Sequence, residues 1–388
     1  MAVASKVRAT GLFRPLFVEK KGLKITMSKR WVLHLCGKLS VGGVQAVIMN
    51  FYENIDREKV QFAFAVQRNT PYDYDERILE LGGRIHYLPD LRYNQKEYEK
   101  ALAELLKEHP EYQIVHAHFN FKNWKMLQIS KKAGVPFRIS HAHAADTKDR
   151  ITTKIHLGFL SRLINYYSTM NLSCSYASGK YLYESDNFII LHNALNLEKF
   201  HYSSSIREIK RRELSIEDGC IALCSIGHLN ENKNQSFLID VLHKLDKNYR
   251  LYLVGADTGD GYKRKLEEKI LLLGLKDRVT FLGVRNDVNE LMQAFDLLLF
   301  PSKHEGLGVV CMEAQATGLQ VIASDRVPKE VAVTKLISFC EIDSPEKWGA
   351  VIEKKSFEER LDTTEEIRKA GYDIVEETKR LQKIYLKR

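Results

Sequence analysis

The chain has 388 residues, of which 44% are hydrophobic, and 59 lysines and arginines against 50 aspartates and glutamates give a formal net charge of +9. This length predicts two domains, and the composition excludes the disordered and fibrous classes of protein. The positive charge favours acidic partners such as nucleotide phosphates, nucleic acid or an anionic membrane surface.

The N-terminal segment is basic, and its one apolar run is interrupted by an arginine and a proline, so it is a poor signal peptide. We expect residues 1–26 to be a disordered extension. No stretch of the sequence approaches the roughly 18 apolar residues that span a bilayer. The six cysteines are scattered, and Cys220 and Cys224 lack a second pair for zinc, which indicates reduced thiols in a cytoplasmic protein.

From Trp31 onward, short apolar runs alternate with longer amphipathic segments, a pattern typical of α/β layers. The strands predicted in the first half are residues 31–36, 60–66, 84–88, 113–117, 137–141 and 189–193. The helices predicted between them are residues 44–54, 76–81, 93–108 and 152–167. A polar, serine-rich segment at residues 193–205 then predicts a domain boundary.

The second half repeats the pattern. Its predicted strands are residues 221–226, 250–254, 279–282, 295–300 and 320–323, and its predicted helices are residues 235–245, 263–273 and 287–294. We therefore predict an N-terminal domain at residues 27–195 and a C-terminal domain at 196–365. A basic helix at 366–388 is expected to pack back on the N-terminal domain.

Two glutamates, Glu305 and Glu313, flank a glycine-rich turn that follows an apolar strand and begins a helix. Free backbone N–H groups at such a helix start bind phosphate oxygens well. If the whole span were helical, the two glutamates would lie roughly 12 Å apart along the axis. One carboxylate could then accept hydrogen bonds from the hydroxyls of a sugar and the other from those of a ribose. The spacing alone fits a solvated surface helix equally well.

Four short segments occur in an order that characterises one family: residues 42–45, 227–234, 254–255 and 301–313. With them the chain resembles family 4 glycosyltransferases, in particular bacterial enzymes that build exopolysaccharide or capsule. The resemblance covers residues 31–330. It implies an α/β fold of the GT-B type, with two facing Rossmann-like domains and a cleft between them.

The resemblance implies that the C-terminal domain binds a nucleotide sugar, with UDP the expected nucleotide. Lys233 would offset the charge that grows on the leaving diphosphate, Glu305 would accept from the sugar hydroxyls, and Glu313 from the ribose. The diphosphate would contact the helix start, which comprises Gly306, Leu307, Gly308 and Val309. The alternative for Lys233 is a solvated lysine, although a cation is unfavourable at a helix N-terminus.

Three further positions follow from the resemblance. Gly42 and Gly43 would contact the donor diphosphate or the acceptor, the alternative being a plain turn, and their spacing does not fit a dinucleotide-binding motif. His228 stands where the family carries arginine, and it can offer only a single, titrating hydrogen-bond donor. Arg285 would contact the nucleobase, unless it is a surface arginine.

Histidines occur in pairs at the ends of two predicted strands, His116 with His118 and His141 with His143. Such pairs raise the question of zinc, but only Asp146 is available to complete a set, and alternate strand residues that line a cleft explain them as well. We expect no metal and no cofactor. The resemblance places a histidine near the anomeric carbon; His118 is the first candidate and His143 the second.

Basic side chains of the N-terminal half form either solvated helix faces or a docking surface for an anionic membrane with a lipid-linked acceptor. They are Lys131, Lys132, Lys148, Arg150, Lys154 and Arg162. A peripheral position on the inner face of the cell membrane would follow. Nucleic acid is not expected, because the sequence has no recognised motif and no aromatic–basic interleaving.

The expected activity is that of a retaining, metal-independent glycosyltransferase of the hexosyltransferase type. It would move a sugar from a nucleotide diphosphate to a hydroxyl of a saccharide or lipid-linked saccharide. A glycoside hydrolase is one rival function, but its two carboxyl groups must lie about 5–9.5 Å apart. A nucleotide-sugar epimerase of the same architecture and a non-catalytic protein that binds nucleotide sugars are two further rivals.

Overall fold

The computed structural model describes residues 29–39, 43–67, 72–91, 93–143, 151–357 and 360–387. The predicted extension at 1–26 and the predicted ligand contact at Gly42 lie outside these residues, as do Asp146, Lys148 and Arg150. Within the described part, the chain forms two parallel sheets in succession, each covered by helices on both faces.

The N-terminal sheet runs in the order β3-β2-β1-β4-β5-β6-β7, and its described strand pairs are all parallel. The strands are β1 (Arg30–Leu35), β2 (Val60–Gln67), β3 (Arg84–Leu88), β4 (Ile114–Ala117), β5 (Phe137–Ala142), β6 (Met170–Ser173) and β7 (Ile189–Ile190). The helices are α1 (Gly43–Asn54), α2 (Asp75–Glu80), α3 (Gln95–Glu108), α4 (Asn123–Lys132), α5 (Ile151–Tyr167) and α6 (Tyr176–Tyr183). Every residue of β2 is buried, as expected for a strand with helices on both faces.

The C-terminal sheet runs in the order β10-β9-β8-β11-β12-β13 and is also parallel. Its strands are β8 (Ile221–Ile226), β9 (Tyr249–Val254), β10 (Val279–Gly283), β11 (Leu297–Phe300), β12 (Gln320–Ser324) and β13 (Ile337–Cys340). The helices are α7 (Leu197–Phe200), α8 (Ser204–Glu213), α9 (Gln235–Lys244), α10 (Tyr262–Leu272), α11 (Val288–Ala294), α12 (Val309–Ala316), α13 (Pro345–Glu353), α14 (Thr364–Lys369) and α15 (Ile374–Leu386).

The C-terminal residues form two helices rather than one. Ile367 of α14 packs in the core of the second sheet, whereas Leu381 of α15 packs in the core of the first. At the crossing point, the Leu195 N–H donates to the Tyr372 carbonyl (2.8 Å) and the Ile374 N–H donates to the Leu195 carbonyl (2.9 Å). The chain therefore passes between the two domains twice, and the two passages are hydrogen-bonded to each other.

The order of the strands determines where a ligand can bind. In each sheet the strand order reverses once, between β1 and β4 in the first and between β8 and β11 in the second. Open α/β sheets bind ligands beyond the carboxyl ends of the strands at such a reversal. The loops that follow these four strands are therefore the expected site.

The state of the cysteines and the length of the apolar helices were also predicted from the sequence. All six cysteines are free thiols, as predicted, and four of them are buried. In the part of the chain that the structure describes, no helix combines the length and the apolar character needed to cross a membrane.

Candidate active site

Lys233 and Glu305 form an ion pair at the strand reversal of the second sheet. The Lys233 Nζ lies 2.6 Å from the Glu305 Oε1, and the two side chains are only 21% and 12% exposed. The ammonium also lies 4.7 Å from the centre of the Phe300 ring. Lys233 follows β8 and Glu305 follows β11, so the pair forms because these two strands are neighbours.

The two loops that carry this pair are hydrogen-bonded to each other. The Lys303 N–H donates to the Asn232 carbonyl (2.8 Å), and the Asn232 side-chain amide donates to the His304 carbonyl (2.9 Å). The Lys233 N–H donates to the Asn230 Oδ1 (3.0 Å). The ion pair is therefore held in position by the backbone before any ligand binds, which lowers the ordering cost of binding.

The predicted phosphate-binding helix start is present in α12. Gly308 precedes the helix with φ 87°, and a Cβ there would lie 3.3 Å from the side chains of Phe300 and Val327. The backbone N–H groups of residues 306–309 donate no hydrogen bond to any other described residue. Four donors, three in the preceding turn and one at the first residue of the helix, are thus available to an anion.

One premise of the sequence-based prediction is wrong. Helix α12 begins at Val309, and the glycine-rich segment before it is a turn, as the sequence predicts, so the span from Glu305 to Glu313 is not wholly helical. The axial separation of roughly 12 Å was calculated for a fully helical span. The spacing argument against a hydrolytic pair of Glu305 and Glu313 therefore has no basis in the structure.

Glu313 lies on the second turn of α12 and is partly buried. Its carboxyl group has no hydrogen bond or ion pair with any described residue. Burial raises the pKa of Glu313 from 4.5 to about 7. A carboxyl group that is buried without a partner is unfavourable, and such perturbed groups cluster at ligand sites.

Glycines bring the ends of β8, β9 and β10 together on the same side of the site. Gly227 (φ 148°) and Gly255 (φ 144°) approach so closely that a Cβ on Gly255 would lie 2.1 Å from the Gly227 carbonyl oxygen. The Gly255 N–H in turn donates to the Gly283 carbonyl (2.8 Å). Gly255 is therefore required by backbone packing, whereas a Cβ on Gly227 would lie 3.2 Å from the Lys233 Cε.

A histidine cluster occupies the strand reversal of the first sheet, and we define it as His34, His116, His118, His141 and His143. The His34 Nδ1 lies 3.0 Å from the His118 Nε2, and the His118 Nδ1 lies 2.8 Å from the His143 Nε2. The His116 Nε2 lies 3.1 Å from the His141 Nδ1. The two predicted histidine pairs, on β4 and β5, thus form one cluster together with His34 on β1.

The cluster is buried and uncharged. Burial lowers the pKa of His34 and of His143 to about 3, and it lowers the pKa values of the other three imidazoles well below 6.5. Helix α15 supplies the hydroxyl of Tyr385, which lies 2.7 Å from the His116 Nδ1. Only His118 and His143 are partly exposed, at the carboxyl ends of their strands.

The chain has clear relatives. The family of glycosyl transferases group 1 matches residues 206–372. A protein of Bacillus subtilis (strain 168) described as putative glycosyltransferase EpsF is 31% identical over 373 residues, which cover 92% of this chain and 97% of the relative. The chain belongs to the glycosyl transferases group 1. It is therefore a glycosyltransferase, an enzyme of class EC 2.4.

Two further comparisons extend this result. The Escherichia coli UDP-Gal:alpha-D-GlcNAc-diphosphoundecaprenol alpha-1,3-galactosyltransferase is 25% identical over 324 residues, 78% of this chain and 81% of its own. A crystal structure of Anabaena HepE in complex with UDP and glucose superposes with a TM-score of 0.77 at 18% identity, covering 92% of this chain and 99% of that one. The fold of the glycosyltransferase is GT-B, as predicted.

The other predicted ligand contacts of the glycosyltransferase are His228, Arg285 and Gly43. The His228 side chain is exposed beside Gly227. Arg285 is engaged with two carboxylates, the Asp287 Oδ2 at 2.6 Å and the Glu213 Oε1 at 2.6 Å. This network links α8 to the segment before α11 and is sufficient to explain Arg285, so its contact with a nucleobase stays a prediction. A Cβ at Gly43 would meet no atom within 4 Å.

Two residues in and around the histidine cluster were missed in the sequence. His34 lies within an apolar run and Tyr385 lies in the last helix, 269 residues from its partner His116. The register that pairs His34 with His116 follows from β1 and β4 being neighbours. The sequence could have indicated that His34 joins the cluster only through the strand order that is usual for this fold class, which places β1 beside β4.

Proposed function

We propose that the protein is a retaining family 4 glycosyltransferase that transfers a hexosyl group from a UDP-sugar to a hydroxyl of a lipid-linked saccharide in exopolysaccharide or capsule synthesis. The observation that carries this proposal is the preformed pair of Lys233 and Glu305 beside the free N–H groups of α12. The names of the relatives support it: an E. coli relative uses UDP-Gal and a diphosphoundecaprenol-linked acceptor, and HepE was crystallised with UDP and glucose.

The donor diphosphate would bind at residues 306–309 and at Lys233. When the bond from the anomeric carbon to the diphosphate breaks, its electron pair passes to the phosphate oxygen, and negative charge grows there. The free N–H groups at residues 306–309 would stabilise that charge, and so would Lys233 once the diphosphate draws its ammonium away from Glu305. Glu305 would accept from hydroxyls of the sugar and Glu313 from those of the ribose.

The acceptor would bind to the N-terminal domain. Its hydroxyl oxygen forms the new bond on the face from which the diphosphate departs, and its proton passes to a phosphate oxygen, so no metal or cofactor takes part. His118 and His143, at the carboxyl ends of β4 and β5, would contact the transferred sugar or the acceptor. Burial lowers the pKa of both imidazoles and keeps them neutral, so they would serve as hydrogen-bond partners and not as cations.

A lipid-linked acceptor would require the enzyme to work at a membrane surface. We propose peripheral binding to the anionic inner leaflet through basic side chains of the N-terminal domain, since each such residue near the surface contributes about 1 kcal/mol. Of these, Lys131 lies over the ring of Tyr166, with its Nζ 4.2 Å from the ring centre, so an exposed aromatic accompanies the charge.

The decisive experiment incubates the purified protein with radiolabelled nucleotide sugars and a lipid extract that contains acceptors. We expect transfer from a UDP-sugar, and Lys233→Met should lower kcat by on the order of 10²–10³-fold, the loss typical of one group that stabilises developing charge. Lys303→Met is the matched control, because this lysine lies on the adjoining loop and pairs with Glu231 at 3.7 Å.

Three outcomes would contradict the proposal. Hydrolysis of a simple glycoside that Glu305→Gln abolishes would indicate a glycosidase. Conversion of a UDP-sugar with no acceptor present would indicate an epimerase. Binding of UDP without turnover of any donor would indicate a non-catalytic protein.

A further inference from the structure

We propose that the histidine cluster is a binding site for one divalent first-row transition-metal ion, with Zn²⁺ the preferred ion. The site would be additional to the proposed transfer chemistry, which uses no metal, and it lies in the domain opposite the donor site. It would be formed by three adjacent strands of the first sheet, β1, β4 and β5.

The ligand atoms of the cluster are close enough to share an ion. In each of two overlapping groups, His34 with His116 and His118, and His118 with His141 and His143, one nitrogen per residue lies within 4.8 Å of the others. Two nitrogens bound tetrahedrally to Zn²⁺ at 2.0–2.1 Å lie roughly 3.4 Å apart. Within one group, the contacts of 3.0 Å between His34 and His118 and of 2.8 Å between His118 and His143 are shorter than this, so an ion would have to separate and turn these rings.

Hydrogen bonds between the imidazoles do not satisfy the whole cluster. The His34 Nε2, the His141 Nε2 and the His143 Nδ1 are buried and have no hydrogen-bond partner among the described residues. A cavity of about 10 Å³ adjoins the five rings, and this is the space of one water-sized occupant. Apolar side chains, among them Val47, Phe51 and Leu381, share the lining of this cavity with the five rings, so an ion would have to draw the unpaired nitrogen atoms toward it.

The chemistry of the ligands selects the ion. All five side chains are neutral imidazoles, and no carboxylate or thiol belongs to either group that the described residues form. Imidazole suits Zn²⁺, Cu²⁺ and Ni²⁺, whereas Mg²⁺ and Ca²⁺ prefer oxygen. The Tyr385 hydroxyl at 2.7 Å from the His116 Nδ1 would orient that ring from outside, as the outer partners of metal-bound histidines do.

A bound ion would have a structural consequence at the cleft. His118 belongs to both groups of potential ligands and is partly exposed. Coordination of its neighbours or of His118 itself would fix the orientation of the ring that the proposed acceptor site presents. Metal binding would therefore make the proposed acceptor site more rigid, and it would take no part in bond breaking.

The test uses the full-length protein, freed of any polyhistidine tag and treated with chelator, and Co²⁺ as the probe. We expect one Co²⁺ per chain, visible d–d absorption of a low-coordinate site, and its loss when Zn²⁺ is added. Elemental analysis of protein purified without chelator should find zinc near one equivalent. These readouts are independent of transferase activity, so they can fail while the proposed function holds.

Variants locate the ion. His34 and His141 each belong to only one of the two groups, so of His34→Gln and His141→Gln one should weaken Co²⁺ binding by more than about 10-fold and the other should weaken it less. His86→Gln on β3 is the matched control, since His86 is also partly buried, with its Nε2 2.7 Å from the Tyr112 hydroxyl, but lies outside the cluster. If the wild-type protein takes up no Co²⁺, or if both cluster variants bind it as tightly as the control does, the proposal is wrong, and the rings are held by hydrogen bonds and water alone.

Discussion

At the scale of single residues, the charged groups of the proposed donor site differ in whether they have a partner. Lys233 and Glu305 neutralise each other across 2.6 Å, so neither is an unpaired charge in the resting enzyme. A diphosphate would compete for the ammonium and release the carboxylate toward the sugar. Glu313, by contrast, has no partner among the described residues, and its raised pKa lets it avoid the cost of burial by staying protonated more readily.

The raised pKa of Glu313 predicts how stability depends on pH. Because its pKa is about 7 in the folded protein and 4.5 in a solvated chain, its favourable contribution is complete below pH 4.5 and is lost as the pH rises through 7. At 1.36 kcal/mol per pKa unit, this loss is on the order of 3–4 kcal/mol. Glu313→Gln should therefore unfold at a higher urea concentration than the wild type at pH 8, and at nearly the same concentration at pH 4.5.

The control for this measurement is Glu268→Gln on α10, a glutamate that is 68% exposed. This substitution should change the urea concentration at the midpoint of unfolding little at pH 8 or at pH 4.5. A Glu313→Gln variant that is destabilised at pH 8 would show that the ionised carboxylate has a favourable partner in the folded protein, contrary to the structure.

At the scale of elements, the ends of the strands decide the shape of the site. The approach of the Gly255 Cα to the Gly227 carbonyl leaves no room for a Cβ. Gly255→Ala should therefore lower the free energy of unfolding by at least about 3 kcal/mol, through a backbone clash added to an unfavourable φ. Urea unfolding followed by circular dichroism measures this loss.

Gly219→Ala separates the two causes. Gly219 has φ 77°, but a Cβ there would meet nothing within 4 Å, so only the left-handed backbone is penalised, at about 1–2 kcal/mol. Equal losses in the two variants would mean that the strand ends can move apart. The shape of the proposed donor site would then not depend on the close approach of β8 and β9.

At the scale of the whole molecule, α15 makes the two domains dependent on each other. It follows a helix of the C-terminal domain but contributes Leu381, 1% exposed, to the core of the first sheet. Leu381→Ala should cost about 2–5 kcal/mol by leaving a cavity. The N-terminal domain should lose stability, and its unfolding is reported by Trp31 and Trp124. The C-terminal domain, whose unfolding is reported by Trp348, should lose less.

Val375→Ala on the same helix is the matched control, because Val375 is 49% exposed. It should change stability by less than about 0.5 kcal/mol. Tryptophan fluorescence of single-tryptophan variants distinguishes the domains. If Leu381→Ala shifted only the Trp348 signal, the helix would belong energetically to the C-terminal domain.

Some elements were absent from the sequence-based prediction. Strand β6 has only four residues, too few to show a period, yet its last three residues are buried and Leu172 belongs to the core of the first sheet. Helix α13 is marked by Ser344, whose hydroxyl accepts from the Lys347 N–H and caps the helix, but its position beside α9 depends on the burial of Trp348. Short elements are determined by what covers them, and single-sequence patterns do not contain that information.

The sequence by itself determined the two α/β units, the glycines at the ends of the strands and the order of the motifs assigned to the proposed donor site. These features are local, since hydrophobic period and backbone conformation are properties of neighbouring residues. Tertiary structure alone decided that Lys233 pairs with Glu305, 72 residues away, and that His34 joins the histidine cluster. Contacts of this kind exist only because parallel strands distant in the chain become neighbours at the reversal of each sheet.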